Sequence, residues 1–402
     1  MEKITARGLA ALIAWGVLTI WVRERWATSV LECGLFALAA PWAVQAIRPQ
    51  PAPRGSWLLV PLGGTVAWGL LQLAIGSSGY RFATWNAALG WAAALTAFWL
   101  ALQALRPARL RRLFLRALAG FGFLLSVVAV LAYFTARGRI FWIFPSGYTE
   151  VLGPFVSRNT HAAFIELLLP LALVECLRRR GPRLLWTLAA GVMFASVVAG
   201  ASRAGTLLVA LEVTVVMWLA TRRRHAGARE LLAGLSRIAG VAALFTLVVG
   251  WQPVWNRFRE PDPFLHRQDL LSSTLGMIAD RPWLGWGLGT WPVVYPAYAR
   301  FDIGMFANHA HNNWAEWTAE GGLPFVLLLL AVAVWSARLA LRRPWGLGVP
   351  AVFLHSLVDF PLQHPALNMP LFTLLGAMAA AEPDDSRPAR PGAPASAGQS
   401  DD

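Results

Sequence analysis

The chain has 402 residues, is 57% hydrophobic and carries a net charge of +14 at pH 7, with a mean hydropathy of +0.51. A soluble domain would confine its apolar residues to stripes, whereas segments such as "VPLGGTVAWGLLQLAIG" are apolar on every side, which excludes a soluble globular class. The positive charge does not indicate nucleic-acid binding, because the basic residues stand in short clusters between apolar runs, the pattern that orients a chain in a membrane.

Apolar runs of about 17 to 22 residues are long enough to cross a ~30 Å hydrocarbon layer as helices. In chain order, spans are expected at residues 8–22, 28–47, 57–76, 83–105, 113–134, 161–177, 184–200, 204–220, 238–251, 323–339, 346–358 and 366–381. The fold class is therefore an all-α polytopic membrane protein of about twelve helices. The first run is read as a helix and not as a cleaved leader, since further spans follow it. Cys33 and Cys176 fall near opposite membrane faces, too far apart to bridge. With a cytoplasmic N-terminus, 23 of the 35 Lys and Arg residues lie inside, as the positive-inside rule requires. The tail, residues 382–402, is rich in Pro, Ala, Ser, Gly and Asp and is expected to be disordered and cytoplasmic.

Three outside segments are more than turns. Residues 135–160 contain "FPSGYTEVLGPFVSRNTH", "GASRAG" joins spans seven and eight, and residues 252–322 form one long loop, a length usually kept for function. Inside that loop "HRQDLLSSTLGMIAD" has the spacing of a short helix lying at the membrane surface. These outside segments hold Arg158, Arg203, Arg267 and Arg281, which act against the orientation rule. A phosphate group would account for them, since a guanidinium stays ionised and binds phosphate oxygens in pairs. Snorkelling to lipid headgroups is the plainer account of any one of them.

The stretch "ANHAHNNWAEWTAEGG", residues 307–322, concentrates polarity in a chain that otherwise avoids it. His309 and His311 are candidates to accept a proton from a hydroxyl, imidazole being the side chain that exchanges protons near neutral pH. A structural hydrogen-bonding role is the alternative, and a metal site is not expected because no recognised ligand spacing accompanies them. Helical spacing puts Asn312, Glu316 and Glu320 on one face, with Gly321, Gly322 and Pro324 at the start of the next span. "RPWLGWGLGTW", residues 281–291, has three glycines but neither the preceding strand nor the lysine of a nucleotide loop, so close backbone approach is the expected use of its glycines. Glu166, Glu212, His355 and Asp359 lie in or beside spans, where an ionisable group is costly unless paired or solvated.

Taken in order, "GPFVSRNTHAAFIE", "GASRAG", "HRQDLLSSTLGMIADRPWLGWGLGTW", "NHAHNNWAEWTAEGGLP" and "LHSLVDFPLQHPA" resemble the motif blocks of the O-antigen ligase and polymerase superfamily over about residues 150–380. The resemblance implies a GT-C-like glycosyltransferase of the bacterial inner membrane, with helices 1–5 in residues 1–134 and a catalytic region in 135–381 that includes the periplasmic loop. It further implies an undecaprenyl-pyrophosphate-linked glycan as donor and a lipid A core or other glycan as acceptor, with no cofactor and no metal. On this resemblance the catalytic residues are Arg203, Arg267 and His311. Arg158, Asn159, Arg281, His309, Asn312 and Glu320 are the expected contacts to pyrophosphate or acceptor. Ligase-like transfer with inversion is the first expectation, polymerisation the second, and transport of a lipid-linked glycan the alternative from another class.

Overall fold

A computed structural model describes residues 1–47, 53–148, 150–178, 181–224, 265–300, 306–382 and a few positions between 232 and 243. Most of the span expected at 238–251, residues 252–264 and 301–305 of the long loop and the tail beyond Glu382 lie outside the described residues. Helices dominate: α1 (Glu2–Leu18), α2 (Arg25–Ala46), α3 (Leu59–Ala74), α4 (Arg81–Ala104), α5 (Ala108–Thr135), α6 (Arg158–Cys176), α7 (Arg183–Ala199), α8 (Arg203–Arg224), α9 (Leu265–Asp280), α10 (Trp291–Val294), α11 (Asn313–Arg342), α12 (Gly348–His355) and α13 (Pro365–Ala380). Two-residue strands β1 (Arg139–Ile140) and β2 (Phe144–Pro145) pair antiparallel between α5 and α6.

Among the described residues, six helices are long and apolar enough to cross a membrane: α2, α4, α5, α6, the Arg203–Ala220 part of α8, and α11. Three shorter apolar helices, α3, α7 and α13, pack with them. Large apolar side chains such as Leu124, Leu207 and Leu327 remain more than 60% exposed on the outer helix faces, which suits hydrocarbon and not water. Helix α6 is the hub, 83% buried along its span and packed against α5, α7, α8 and α12. Both cysteines are free.

Residues 346–358, expected as a span, form instead the eight-residue helix α12 followed by a turn. At 1.5 Å per residue such a helix covers about 12 Å, too little to cross. Its last residue, His355, makes a 2.8 Å hydrogen bond between its Nδ1 and Glu166 Oε1 on α6, with both groups buried. That pairing meets the need of an ionisable group inside an apolar bundle, and it anchors the start of the turn at residues 356–364.

Helix α11 begins ten residues earlier than the expected span because the polar stretch before Gly321 is helical too. The two parts meet at a kink where Gly322 has φ +71°. A kink frees backbone carbonyls, and the glycine-rich segment after α9 uses them: Trp286 N donates to Ala319 O at 2.9 Å and Gly287 N to Glu320 O at 2.9 Å. Gln72 of α3 joins the arrangement by donating to Leu284 O and Glu320 O. The approach is so close that a Cβ on Gly322 would stand 2.2 Å from Trp283 O, and one on Gly285 2.2 Å from Glu320 O. Gly322→Ala combines that backbone clash with a positive-φ, extended-ψ conformation (φ +71°, ψ −179°) that essentially only glycine adopts and that costs other residues about 1–3 kcal/mol. We expect it to lower the melting temperature of the detergent-solubilised protein by several degrees, whereas Gly63→Ala, with open space around it, leaves melting unchanged.

Candidate functional site

Four helices begin near one point. Ser157 caps α6 by accepting from Thr160 N, so Arg158 and Asn159 open its first turn. Ser202 accepts from Gly205 N at 3.2 Å at the start of α8, which Arg203 opens. Arg267 is the third residue of α9, and Asn312 caps α11 by accepting from Ala315 N at 3.0 Å. Helix N-termini carry partial positive charge and orphan N–H groups, so their convergence makes the mouth of the bundle attractive to an anion.

At the centre of the convergence stands Asp359, 5% exposed, in the turn between α12 and α13. Asn159 Nδ2 donates to its Oδ2, and Ser202 Oγ donates to Asn159 Oδ1 at 2.8 Å, which joins α6, α8 and the turn. Arg267 Nη2 lies 3.4 Å from the same Oδ2, while its Nη1 donates to Val358 O at 2.8 Å. His311 Nδ1 stands 3.7 Å from Oδ1, an ion-pair separation longer than a hydrogen bond. Burial by itself would raise the Asp359 carboxyl, but the His311 imidazole and the Arg267 guanidinium outweigh it and bring it down to about 2. A carboxylate is thus fixed where two cationic or proton-accepting groups meet.

A second set of contacts holds the segment that carries His311. Glu316, buried in the first turn of α11, accepts from Ala310 N and Gln363 Nε2 at 2.8 Å each, and its Oε1 is 2.8 Å from His309 Nδ1. The His309 ring stacks on Phe360 at 4.3 Å, and His311 meets the same ring edge-on at 4.8 Å. His364, on the far side of that turn, is pushed down to about 4 by burial and by the neighbouring His309, so it is neutral above pH 5. His311 itself has φ +53°, a left-handed backbone that costs a non-glycine residue energy and is held here by contacts on both sides.

The structure therefore brings Asn159, Arg267 and His311 together around Asp359, with Asn312 as cap, His309 behind His311, and Arg203 at the half-buried start of α8 next to Ser202. It places three expected residues elsewhere. Arg158 is paired with Glu150 at 3.7 Å, Arg281 donates to Ser77 O and lies over Trp286, and Glu320 is buried with its carboxylate accepting from Trp291 N. Glu320 thus serves the glycine-rich segment. His161, also in the motif blocks, is buried with Nε2 3.1 Å from Ser196 Oγ. Asp359, Ser202, Glu316 and Phe360 were not named as site residues from the sequence. For Asp359 the signal was present, since an acid at the edge of a span requires a partner and unexplained arginines were available. Among the described residues no group of three His, Cys, Asp or Glu side chains has the arrangement of a metal site.

Fold and site together define a multi-pass, all-helical membrane protein with basic, imidazole and carboxylate groups gathered at helix starts. Residues 188–331 match the family described as O-antigen ligase, and through that stretch the chain is similar to that family. The matched stretch begins in α7 and ends in α11, so it contains Arg203, Arg267, His309 and His311, while Asn159 and Asp359 lie outside it. The match supports an O-antigen ligase- or polymerase-type membrane enzyme. No curated protein matches the chain.

Proposed function

We propose that the protein is an inner-membrane glycosyltransferase that moves a glycan from undecaprenyl pyrophosphate to an acceptor hydroxyl at the periplasmic face, in the manner of an O-antigen ligase. The observation that carries this reading is the Asp359 centre, where an arginine from α9, a histidine from the start of α11 and an amide from α6 share one buried carboxylate.

In the reaction, the acceptor oxygen attacks C1 of the donor sugar, the C1–O bond to pyrophosphate breaks, and the hydroxyl proton is taken up. Arg267 uses two of its five N–H donors on Val358 O and Asp359, which leaves three for phosphate oxygens as charge grows on the leaving group. Arg203 opens α8 next to Ser202, which bonds to Asn159, and from that helix start would supply a second guanidinium. Asp359 beside Nδ1 of His311 favours the tautomer with its proton there, so that Nε2 is the atom that accepts the acceptor's proton. Shortening of the 3.7 Å separation once substrate excludes water would complete that orientation. Pyrophosphate leaves as a stable anion, so no general acid is required, and direct displacement inverts the anomeric centre. The termini lie in the cytoplasm on this reading, and donor and acceptor are the lipid-linked glycan and the lipid A core.

The test is reconstitution of the full chain in liposomes with an undecaprenyl-pyrophosphate-linked glycan and lipid A core. The expected result is a new glycosidic bond on the core, unchanged by EDTA. Glycan crossing the bilayer with no bond formed would replace the reading with transport, and elongation of the lipid-linked glycan in place of core capping would replace ligation with polymerisation. Activity lost to EDTA and restored by a divalent ion would overturn the metal-free mechanism.

A further inference from the structure

A cleft opens near the Asp359 centre. The segment between α5 and α6 forms one wall and the α7–α8 turn another, and the space has a volume of about 90 Å³, several times the ~10–15 Å³ that one water needs. Tyr133, Tyr148, Glu150 and Arg158 line it, over a floor that includes Leu152 and Gly200. The floor depends on glycine: a Cβ at position 200 would come within 2.9 Å of Leu152 Cδ1.

The polar groups of this cleft do not saturate one another. Tyr133 Oη donates to Glu150 Oε1 at a long 3.4 Å, and Arg158 Nη2 lies 3.7 Å from Glu150 Oε2. The Arg158 and Glu150 side chains are 35% and 51% exposed, and an open pair of this length adds little to stability. They leave several donors and acceptors facing the cleft. The charges also select the class of ligand. A phosphate or other anion would meet the Glu150 carboxylate, and a cation would meet the Arg158 guanidinium. A neutral ring rich in hydroxyls meets neither penalty, because its hydroxyls donate to the carboxylate and accept from the guanidinium while its C–H faces rest on tyrosine rings, which join apolar faces to polar tips.

The location fits as well. Arg158 of the cleft precedes Asn159, which bonds to Asp359, and Gly200 stands two residues before Ser202, which bonds to Asn159. The cleft and the centre thus share the start of α6 and the α7–α8 turn. Resting on the transferase reading above, we propose that this cleft is a saccharide subsite that holds a sugar unit next to the reacting one, and that Arg158 serves the glycan there and not the pyrophosphate.

Both donor and acceptor carry such sugars, so the experiment measures each. Glu150→Gln and Tyr148→Ala, in full-length protein reconstituted in liposomes, are assayed with donor varied at saturating acceptor and then the reverse. Expected is a rise of about tenfold in KM for one of the two substrates, with kcat within about twofold, as loss of one or two hydrogen bonds or a ring contact would give. The substrate whose KM moves identifies the source of the sugar. Unchanged KM for both substrates, in variants of an enzyme whose wild type transfers normally, overturns the subsite and leaves the transferase reading intact. Binding of the free repeat-unit and core oligosaccharides to the protein in nanodiscs is read independently of catalysis. Saturable binding to wild type that weakens about tenfold in Glu150→Gln supports the subsite even if no transfer is found, and no binding of either oligosaccharide to wild type overturns it.

Discussion

Asp359→Ala should reduce glycan transfer by ~10²-fold or more while the protein still reaches the membrane in normal amount. Three groups from three elements converge on this carboxylate: the Asn159 amide, the Arg267 guanidinium and the His311 imidazole. Phe360 N also donates to its Oδ1 at 2.8 Å, so the turn that presents Phe360 to both histidines depends on it too. Alanine removes their common acceptor, and Arg267 then keeps only Val358 O to aim its guanidinium. Asp359→Asn keeps the size but not the charge, and should fall between alanine and wild type. The pH dependence follows from the sign of the shift. A carboxyl held at about 2, below its ordinary 3.8, contributes stability that is fully present above about pH 4 and is lost as pH falls toward 2. Between pH 5 and 8 Asp359 stays ionised, so any change of rate in that window belongs to another group. Normal transfer by membranes containing well-expressed Asp359→Ala would remove the centre on which the proposed function rests.

Much of the helical framework was legible because a membrane span declares itself by composition: α2 through α8 lie within a few residues of their expected bounds. The 346–358 stretch misled because its mean apolarity hides His355 and ends just before Asp359, and the partners of these two residues turn the chain back toward α6 and α9. Those partners could not be read from spacing. Asp359 is 92 residues from Arg267 and 200 from Asn159, and local periodicity carries no information over such distances. The arginines that defy the orientation rule and the polar 307–322 stretch did point to the mouth of the bundle. Which of them meet there was not legible: Arg267 and His311 do, Arg158 turns to Glu150, and Glu320 turns to the Trp291 amide. The expected shared face of Asn312, Glu316 and Glu320 likewise divides in the structure, with the first capping α11, the second holding His309 and the third holding the glycine-rich segment.

His311→Ala should lower transfer by ~10²–10⁴-fold, the range lost when a positioned proton acceptor is removed. Alanine alone would leave two explanations, because His311 contributes both an imidazole and an unusual backbone at φ +53°. The segment around it is fixed by Glu316, which accepts from Ala310 N, and by the Asn312 cap, so a residue that resists the left-handed region would disturb His309 and Phe360 as well. Asparagine separates the two effects, since it tolerates that backbone far better than most residues and cannot take up a proton. His311→Asn should therefore insert and melt like wild type and yet show the full loss of transfer. Retention of more than about a tenth of wild-type activity would mean that the imidazole does not carry the proton. The centre would then act through its guanidinium groups alone, by gripping the leaving pyrophosphate while solvent removes the proton.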